Sequence, residues 1–548
     1  MRDTATKATK PTDAPAGGSR FRVVLADSIS PTGLLPLAED GRFEIVARTG
    51  LKGEALADAL ADADAVIVRS STRITREAMS RADRLRVIGR AGVGVDNIDV
   101  EAATERGIAV LNAPAGNTLS AAELTFALLL SLVRHVPAAD RSMKEGAWDR
   151  KSFGGTELAG KMLGLIGAGR IGTAVADRAR AFRMSVVAYD PYLDREHAGA
   201  HGIELASLDD VIERADVISV HVPLTDATRG IIADAEFERM RPGVYILNAA
   251  RGGVIDEGAL VRALEAGRVA GAGVDVYGAE PLPADHPLRN APSTVLTPHL
   301  GASTAEAQEN VALEIAGAVR AALVDSDYSR AVNAPRIGGE AMRRLRPLLD
   351  LAERLGRLTA GLTDGALQKI EVSWTGSADT MLRPIASAVL CGMLRAVVGK
   401  GGVNYVNAMH IAQSRGATVT TTRLAGGADY GQYLEVVATV DGRRITVAGA
   451  LLDGVHPRIV GIDGFRMDTR PFGTLLVVQN RDVPGVIGRV GSLLGDAGVN
   501  IAEYNQSRRE AGGEALGLVA IDGIVATEVL DGLRAVPEIT AVRQVQLD

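Results

Sequence analysis

An apolar run, Met162–Ile166, passes directly into Gly167-Ala-Gly169-Arg170-Ile171-Gly172 and then into an amphipathic stretch. Few backbones accept that order. The first glycine permits a tight turn, the second lets main chain approach a pyrophosphate, and the third lets the helix pack on the strand. The helix N-terminus then attracts the phosphate charge. Sixty-two glycines would generate the bare spacing by chance, so the strand before it and the helix after it carry the weight. A second run, Ser185–Tyr189, ends in Asp190-Pro191, and Asp190 stands 18 residues beyond Gly172. A carboxylate there accepts hydrogen bonds from ribose hydroxyls and repels a ribose phosphate, which points to NAD rather than NADP. The bland alternative makes Asp190 a turn residue before Pro191.

Around this motif, short apolar runs alternate with amphipathic ones, the pattern of a parallel α/β sheet. Strands are expected at Phe21–Ala26, Phe43–Ala47, Ala65–Val68, Leu85–Ile88 and Ile108–Leu111, with helices at Gly53–Ala61 and Thr75–Ala82. An apolar helix, Ala121–Val136, should cross into a second unit whose further strands are Val217–Val220, Val244–Asn248, Gly271–Val274 and Thr294–Thr297. A helix over Thr304–Leu323 should return the chain to the first unit, leaving that unit discontinuous. Beyond a linker at Asn333-Ala-Pro335 the pattern becomes α+β, and the last stretch reads βαββαβ, a ferredoxin-like order. The expected fold is α/β: two Rossmann-like parallel-sheet domains (the first discontinuous), an α+β domain and a ferredoxin-like one. The boundaries expected are 1–20 for a disordered tail, 21–118 with 304–332, 119–303, 333–470 and 471–548.

Composition narrows the functional classes. The chain of 548 residues carries a net charge of −7, so a polyanion partner is disfavoured: no nucleic acid. Its one cysteine excludes an intramolecular disulfide framework and a Cys-rich zinc site, so no metal is expected and a reduced, cytoplasmic compartment fits. The first twenty residues lack the apolar core of a signal peptide, and LTFALLLSLV is too short to span a bilayer, so no membrane is expected.

Among eight histidines, His299 stands apart. It follows a strand and Pro298 and precedes a helix start, which puts an imidazole at the carboxyl edge of the sheet. His135 falls in the apolar helix. His197, His201, His286 and His456 fall in polar loops, His410 lies near the end of a possible helix, and His221 ends a strand where packing along a cofactor is its simplest role. Two other strand ends supply partners: Arg251 in NAARGGVIDE and a carboxylate, Asp275 or Glu280, in GVDVYGAEP. Either could be an ordinary cap or surface charge. Together with a histidine they match the oxidation of a 2-hydroxyacid. A base takes the hydroxyl proton, a carboxylate fixes its tautomer, and a guanidinium grips the substrate carboxylate.

GxGxxG with its distant Asp, HVPLT, NAARGGVIDE, GVDVYGAEP and TPHLGAST together resemble the D-isomer-specific 2-hydroxyacid dehydrogenase family over roughly 21–323. The resemblance implies a catalytic set of Arg251, Glu280 and His299. It implies a cofactor site drawn from Gly167, Gly169, Arg170, Ile171, Gly172, Asp190, Pro191, His221, Val222, Pro223, Thr228, Ala249, Arg251, Asp275, His299 and Gly301.

Arg69, Ser70 and Arg73 near one strand end, Gly92-Val93-Gly94 at the next and Asn112 at a third resemble the phosphoglycerate-oxidising members of that family. The Gly-rich turn offers backbone N–H groups to a carboxylate, and the arginines suit a phosphate. Solvent-exposed arginines are the alternative. In some members a second Arg lies two residues past Arg69, where this chain has Ser71, so the phosphate leans on Arg69 with Arg73 or a neighbouring subunit's basic residue. Arg150, in GAWDRK, matches a position that reaches across a dimer interface in some relatives.

Asn480, Asp482 and Asn500, in NRDVPGVI and GVNI, match the ligand positions of an ACT domain, a small amino-acid-binding module. Turn formation is their alternative role. The segment from Pro335 to Met467 resembles the intervening domain of the long members, in which Arg443, Arg444, Arg458 or Arg466 could meet an anionic effector. The resemblance implies NAD-dependent oxidation of 3-phospho-D-glycerate to 3-phosphooxypyruvate, the first step of phosphorylated L-serine biosynthesis, with L-serine as effector and a homotetramer or homodimer. Glycerate or hydroxypyruvate is the alternative substrate. NAD-sensing C-terminal binding protein corepressors share the fold, and the ACT-like tail argues against them.

Overall fold

The computed structural model describes residues 20–335, 337–376, 378–399, 401–424 and 430–548, so the tail expected over 1–20 lies outside the described residues except for Arg20. The first sheet is all parallel and built from β1 (Phe21–Leu25), β2 (Phe43–Ala47), β3 (Ala65–Val68), β4 (Val87–Arg90) and β5 (Ala109–Asn112), in the order β2-β1-β3-β4-β5. Residues 65–68 are buried along their whole length, as a strand covered on both faces requires. Helix Ala305–Asp325 covers one face. Its Ile315, Val319 and Leu323 are buried in the first sheet's core, each contributing about 1.5–3 kcal/mol. That burial draws the chain back from the second domain.

The second sheet contains β6 (Met162–Ile166), β7 (Ser185–Tyr189), β8 (Glu204–Leu205), β9 (Val217–Val220), β10 (Val244–Asn248), β11 (Val269–Val274) and β12 (Thr294–Leu296). It is parallel, with the order β12-β11-β10-β9-β6-β7-β8. The order reverses between β6 and β9, and in the first sheet between β1 and β3. Such switch points open a crevice at the carboxyl ends of the strands.

Two expected helices differ. Thr75–Ala82 is a run of turns, although Ile74, Ala78, Met79 and Ala82 are buried as an amphipathic helix would bury them. Its start is pinned by a bridge between Ile74 and Ile98, and eight residues are too few to outweigh that restraint. The long apolar helix ends at Val133, and His135 takes a left-handed φ of 52° before a second helix, Val136–Lys144. Pro137 has no N–H to give to the Val133 carbonyl, which accepts from Thr156 N at 2.8 Å instead. His135 is therefore a break rather than part of a helix. His197 lies in a short helix, Arg195–Ala200, and His456 begins a strand. Among the described residues no single helix is long and apolar enough to cross a membrane.

The α+β region forms a mixed sheet of β13 (Leu367–Trp374), β14 (Thr418–Arg423), β15 (Tyr433–Val440), β16 (Arg443–Leu452), β17 (His456–Ile462) and β18 (Phe465–Thr469). It is ordered β14-β13-β15-β16-β17-β18 and backed by helices Gly339–Gly361 and Leu382–Val398. The last sheet joins β19 (Thr474–Arg481), β20 (Ile501–Arg508), β21 (Glu514–Ile521) and β22 (Ile539–Gln546) in the antiparallel order β20-β21-β19-β22. Leu476 and Val478 face its own two helices. Leu475, Val477 and Val545 instead join the core under helix Gly339–Gly361. A Cβ on Gly361 would stand 2.5 Å from Val545, so the two regions touch backbone to side chain.

Candidate active site

The two parallel sheets face each other across a cleft of about 510 Å³. Its nucleotide edge starts where β6 ends. Gly167 has a φ of 91°, and a Cβ there would come within 2.8 Å of the His221 carbonyl. A Cβ on Gly172 would overlap the Gly167 carbonyl, so this glycine is needed for helix–strand packing. A Cβ on Gly169 would meet nothing, leaving open space above the N-terminus of helix Arg170–Ala181. Asp190 accepts from Ala168 N and Tyr192 N, both at 2.9 Å, one on each oxygen. Each oxygen keeps a lone pair for a further donor. Open space over a helix N-terminus beside a fixed carboxylate fits a dinucleotide.

His221 follows β9 at the switch point. Its Nε2 lies 2.8 Å from Ser219 Oγ, its Nδ1 is buried without a partner, and burial pushes the imidazole pKa down to about 4. It is neutral near pH 7. Val222, Pro223, Ala249 and Ile171 line the cleft beside it.

His299 sits on the opposite lip, with its N–H on the Asp275 carbonyl at 2.9 Å and a left-handed φ of 58°. A non-glycine residue adopts that conformation only when its surroundings hold it there. Asp275 does so: it is fully buried and accepts from Thr297 Oγ1 at 2.6 Å, Leu300 N at 2.7 Å and Gly301 N at 2.9 Å. The imidazole Nδ1 meets Glu280 Oε2 at 2.8 Å. Burial raises the Glu280 pKa, but hydrogen bonds from His299 and Tyr277 N and the charges of His299 and Arg251 outweigh it, and the net shift is downward. Glu280 is a carboxylate near pH 7.

The facing wall carries Arg69, Arg90 and Arg251. Arg251 reaches from the second domain, its Nε 3.0 Å from Asp96 Oδ2 of the first and its Nη1 2.6 Å from the Ala250 carbonyl. Arg90 is largely buried, and burial, then Arg251 and Arg69, lower its pKa to about 10, leaving it charged near pH 7. Three guanidinium groups this close repel one another and favour an anion between them. Glycines 92 and 94, expected as a nest of N–H groups, have a second role: a Cβ on Gly92 would overlap Arg90 Nη1, and one on Gly94 would overlap Arg251 Nη2.

Several expected residues stand back from the cleft. Arg73 is exposed and outside its lining, as are Arg150 and Pro191. Asn112 donates to the Val93 carbonyl at 2.7 Å, so it supports the Gly92–Gly94 turn from behind. Thr228 holds the HVPLT loop through the Pro223 carbonyl at 2.5 Å. Arg69 and Ser70 do line the cleft, as do Val93, Gly301 and His299. Sequence reasoning passed over Arg90 and Asp96. Arg90 ends β4, and a charged residue ending a buried strand at the carboxyl edge is the signal that could have found it.

The three expected effector positions are not together in one chain. Asp482 lies by Arg508 (2.8 Å) and Gly512 N (3.2 Å), at the end of the sheet where Arg481 faces Glu514. Asn500 binds Asp522 at 2.8 Å, at the end where Ile501 faces Ile521. Seven residues of β21 separate those ends, roughly 24 Å at the rise of an antiparallel strand. Asn480 is buried beside Asp482, its Oδ1 without a partner.

The fold and cleft are those of an NAD-linked 2-hydroxyacid oxidoreductase. Residues 126–301 match the family model for the D-isomer specific 2-hydroxyacid dehydrogenase NAD binding domain, 344–463 the D-3-phosphoglycerate dehydrogenase intervening domain, and 474–538 the ACT domain. The chain is 40% identical over 528 residues to the D-3-phosphoglycerate dehydrogenases of Methanocaldococcus jannaschii and Bacillus subtilis, covering 96% of this chain and 100% of each relative. It is 41% identical to that of Mycobacterium tuberculosis over 94% of this chain and 97% of the relative. The chain belongs to the D-3-phosphoglycerate dehydrogenase family. Among solved structures, a glyoxylate reductase from Paecilomyes thermophila is 32% identical, with a TM-score of 0.53, covering 58% of this chain and 99% of that one. A D-lactate dehydrogenase from Aquifex aeolicus, complexed with NAD and lactic acid, is 30% identical with a TM-score of 0.50, covering 57% of this chain and 98% of that one.

Proposed function

We propose that this enzyme oxidises 3-phospho-D-glycerate to 3-phosphooxypyruvate with NAD, the entry step of phosphorylated L-serine synthesis. Three guanidinium groups in the cleft that His299 also lines, with Glu280 bonded behind the imidazole, carry this reading. Near neutrality the substrate bears a carboxylate and a phosphate, so the wall and the substrate match in charge. Arg251 takes the carboxylate and polarises the reacting oxygen, and Arg69 and Arg90 take the phosphate.

Because Glu280 is ionised and can only accept, the His299 Nδ1 carries the proton. That leaves Nε2 as a lone-pair base, which takes the substrate hydroxyl proton, and Glu280 stabilises the imidazolium formed. Bound NAD supplies the hydride acceptor. Gly167, Gly169 and the helix N-terminus hold its pyrophosphate, Asp190 its ribose, and the neutral His221 and Pro223 wall the pocket without adding charge.

L-serine is the effector assigned to the ACT domain. Since Asp482 and Asn500 lie at opposite ends of one sheet, a site that uses both is built between two copies of the chain, and a homodimer is the smallest regulated unit, with a tetramer as two of these. The compartment that suits a free, buried Cys391 and an NAD-linked biosynthetic step is the cytoplasm.

NADH formation from 3-phospho-D-glycerate, coupled to a phosphoserine aminotransferase to draw off product, tests the reading against D-glycerate with and without serine. Selective turnover of the phosphorylated acid is the expected result. Equal kcat/KM on the two would reassign the enzyme to an unphosphorylated hydroxyacid such as glycerate.

A further inference from the structure

Asp96 and Asn97 lie in the loop between β4 and helix Val100–Glu105, and between them they reach all three cleft arginines. Asp96 Oδ2 takes Arg251 Nε across the domain boundary at 3.0 Å. Asn97 Oδ1 takes Arg90 Nε at 3.2 Å, and its Nδ2 donates to the carbonyls of Arg69 (2.7 Å) and Thr72 (2.6 Å). The Asn97 main chain is fixed in turn, its carbonyl accepting from Ile74 N at 2.9 Å. We propose that Asp96-Asn97 is the positioning node of the anion site: Asp96 aims the guanidinium that grips the carboxylate, and Asn97 aims the Arg90 guanidinium and anchors the main chain from which Arg69 extends towards the phosphate.

The chemistry of Asp96 makes this more than a surface ion pair. It is the sole carboxylate among the described residues lining a cleft built for an anion, where its charge opposes binding. Holding Arg251 by Nε leaves Nη2 free for the substrate carboxylate. The hold exists only with the two domains together, because its partners sit on opposite sides of the cleft. Asn97 does not line the cleft and acts entirely through others. The need for an amide is specific: it must accept from Arg90 while donating twice to backbone, which neither Asp nor Leu can do.

This inference rests on the function proposed above and divides the substrate into two halves that can be read separately. Purified full-length Asp96→Ala, Asp96→Asn, Asn97→Ala and Asn97→Asp would be assayed for kcat and KM on 3-phospho-D-glycerate and on D-glycerate, with NADH affinity measured by fluorescence. The two Asn97 variants should lose about tenfold or more in kcat/KM on the phosphorylated acid and little on glycerate, collapsing the preference. Asp96→Ala should lose about tenfold on both acids alike, chiefly through KM, and Asp96→Asn less, since an amide oxygen still accepts from Nε. NADH affinity should hold in all four. Parallel losses in NADH affinity and in both substrates would overturn the proposal in favour of a general structural role. So would a lower KM in Asp96→Ala, which would make that carboxylate a repulsive neighbour and nothing else. A wild-type enzyme indifferent to the phosphate would strike the functional reading and the Asn97 assignment with it, while Asp96 would still be judged on any hydroxyacid turned over.

Discussion

The cleft and the ACT sheet place their candidate ligand-binding residues in opposite ways. In the cleft, residues as distant in sequence as Asp96 and Arg251 converge within one chain, because two sheets present their carboxyl edges to each other. In the ACT sheet, Asp482 and Asn500 are near in sequence and lie at opposite ends of a single sheet. Nearness in sequence is thus no guide to a shared site. An antiparallel strand carries its two ends apart, whereas parallel strands gather theirs on one side. In the proposed reading, the cleft gathers its arginines and His299 within one chain, whereas an effector site that uses both Asp482 and Asn500 draws on two copies.

The contrast can be broken at its strongest point first. Replacing His299 with Asn should lower kcat by about a thousandfold while leaving NADH affinity intact, since general-base catalysis contributes on that order. A loss of NADH affinity of similar size would mean that His299 holds the cofactor instead. Arg90→Ala should raise KM for 3-phospho-D-glycerate by about ten- to a hundredfold with kcat less affected, as loss of a charge-assisted contact predicts. Acid tests the cleft in another way. Burial holds the His221 pKa at about 4 against 6.5 when free, so between those values the unfolded chain binds the extra proton. Stability therefore rises with pH across that window and is lost as pH falls through it. The difference between denaturant midpoints at the two ends of the window should be smaller in His221→Asn than in the wild type.

The smallest effect concerns the ACT site. Asp482→Ala and Asn500→Ala should each leave basal turnover within about twofold, since their partners Arg508 and Asp522 are exposed polar contacts of little energetic worth. Each alone should abolish serine inhibition, yet refolding the two variants together should restore part of it, because half of the interfaces formed are mixed and each of those regains one intact site. No recovery would show that the residues do not act across a two-fold.

The parallel sheets were legible in the sequence because a strand buried on both faces leaves an unbroken apolar run, as Ala-Val-Ile-Val does at 65–68. The glycine motif was legible because its flanks are as informative as its spacing. The Thr75–Ala82 helix was misread for the opposite reason: its apolar spacing is helical, but a bridge to Ile98 decides the backbone, and no local pattern shows a tether to a distant segment. His299 stood out by its position after a strand, whereas only the family resemblance separated Glu280 from Asp275. Arg90 did not, because in a chain with many arginines only burial and the company of Arg69 and Arg251 distinguish it, and both are tertiary facts.

The close approach of Gly361 to Val545 has a practical meaning for anyone hoping to engineer the sensor away. A module joined by a linker can be cut off, and the remainder survives. Here Leu475, Val477, Leu516 and Val545 form one wall of the core beneath helix Gly339–Gly361. Truncation before Thr474 would strip that wall and open the core around Gly361 to water, a sticky surface that drives self-association. The role of the last domain is better probed by point changes at Asn480, Asp482 and Asn500 than by shortening the gene.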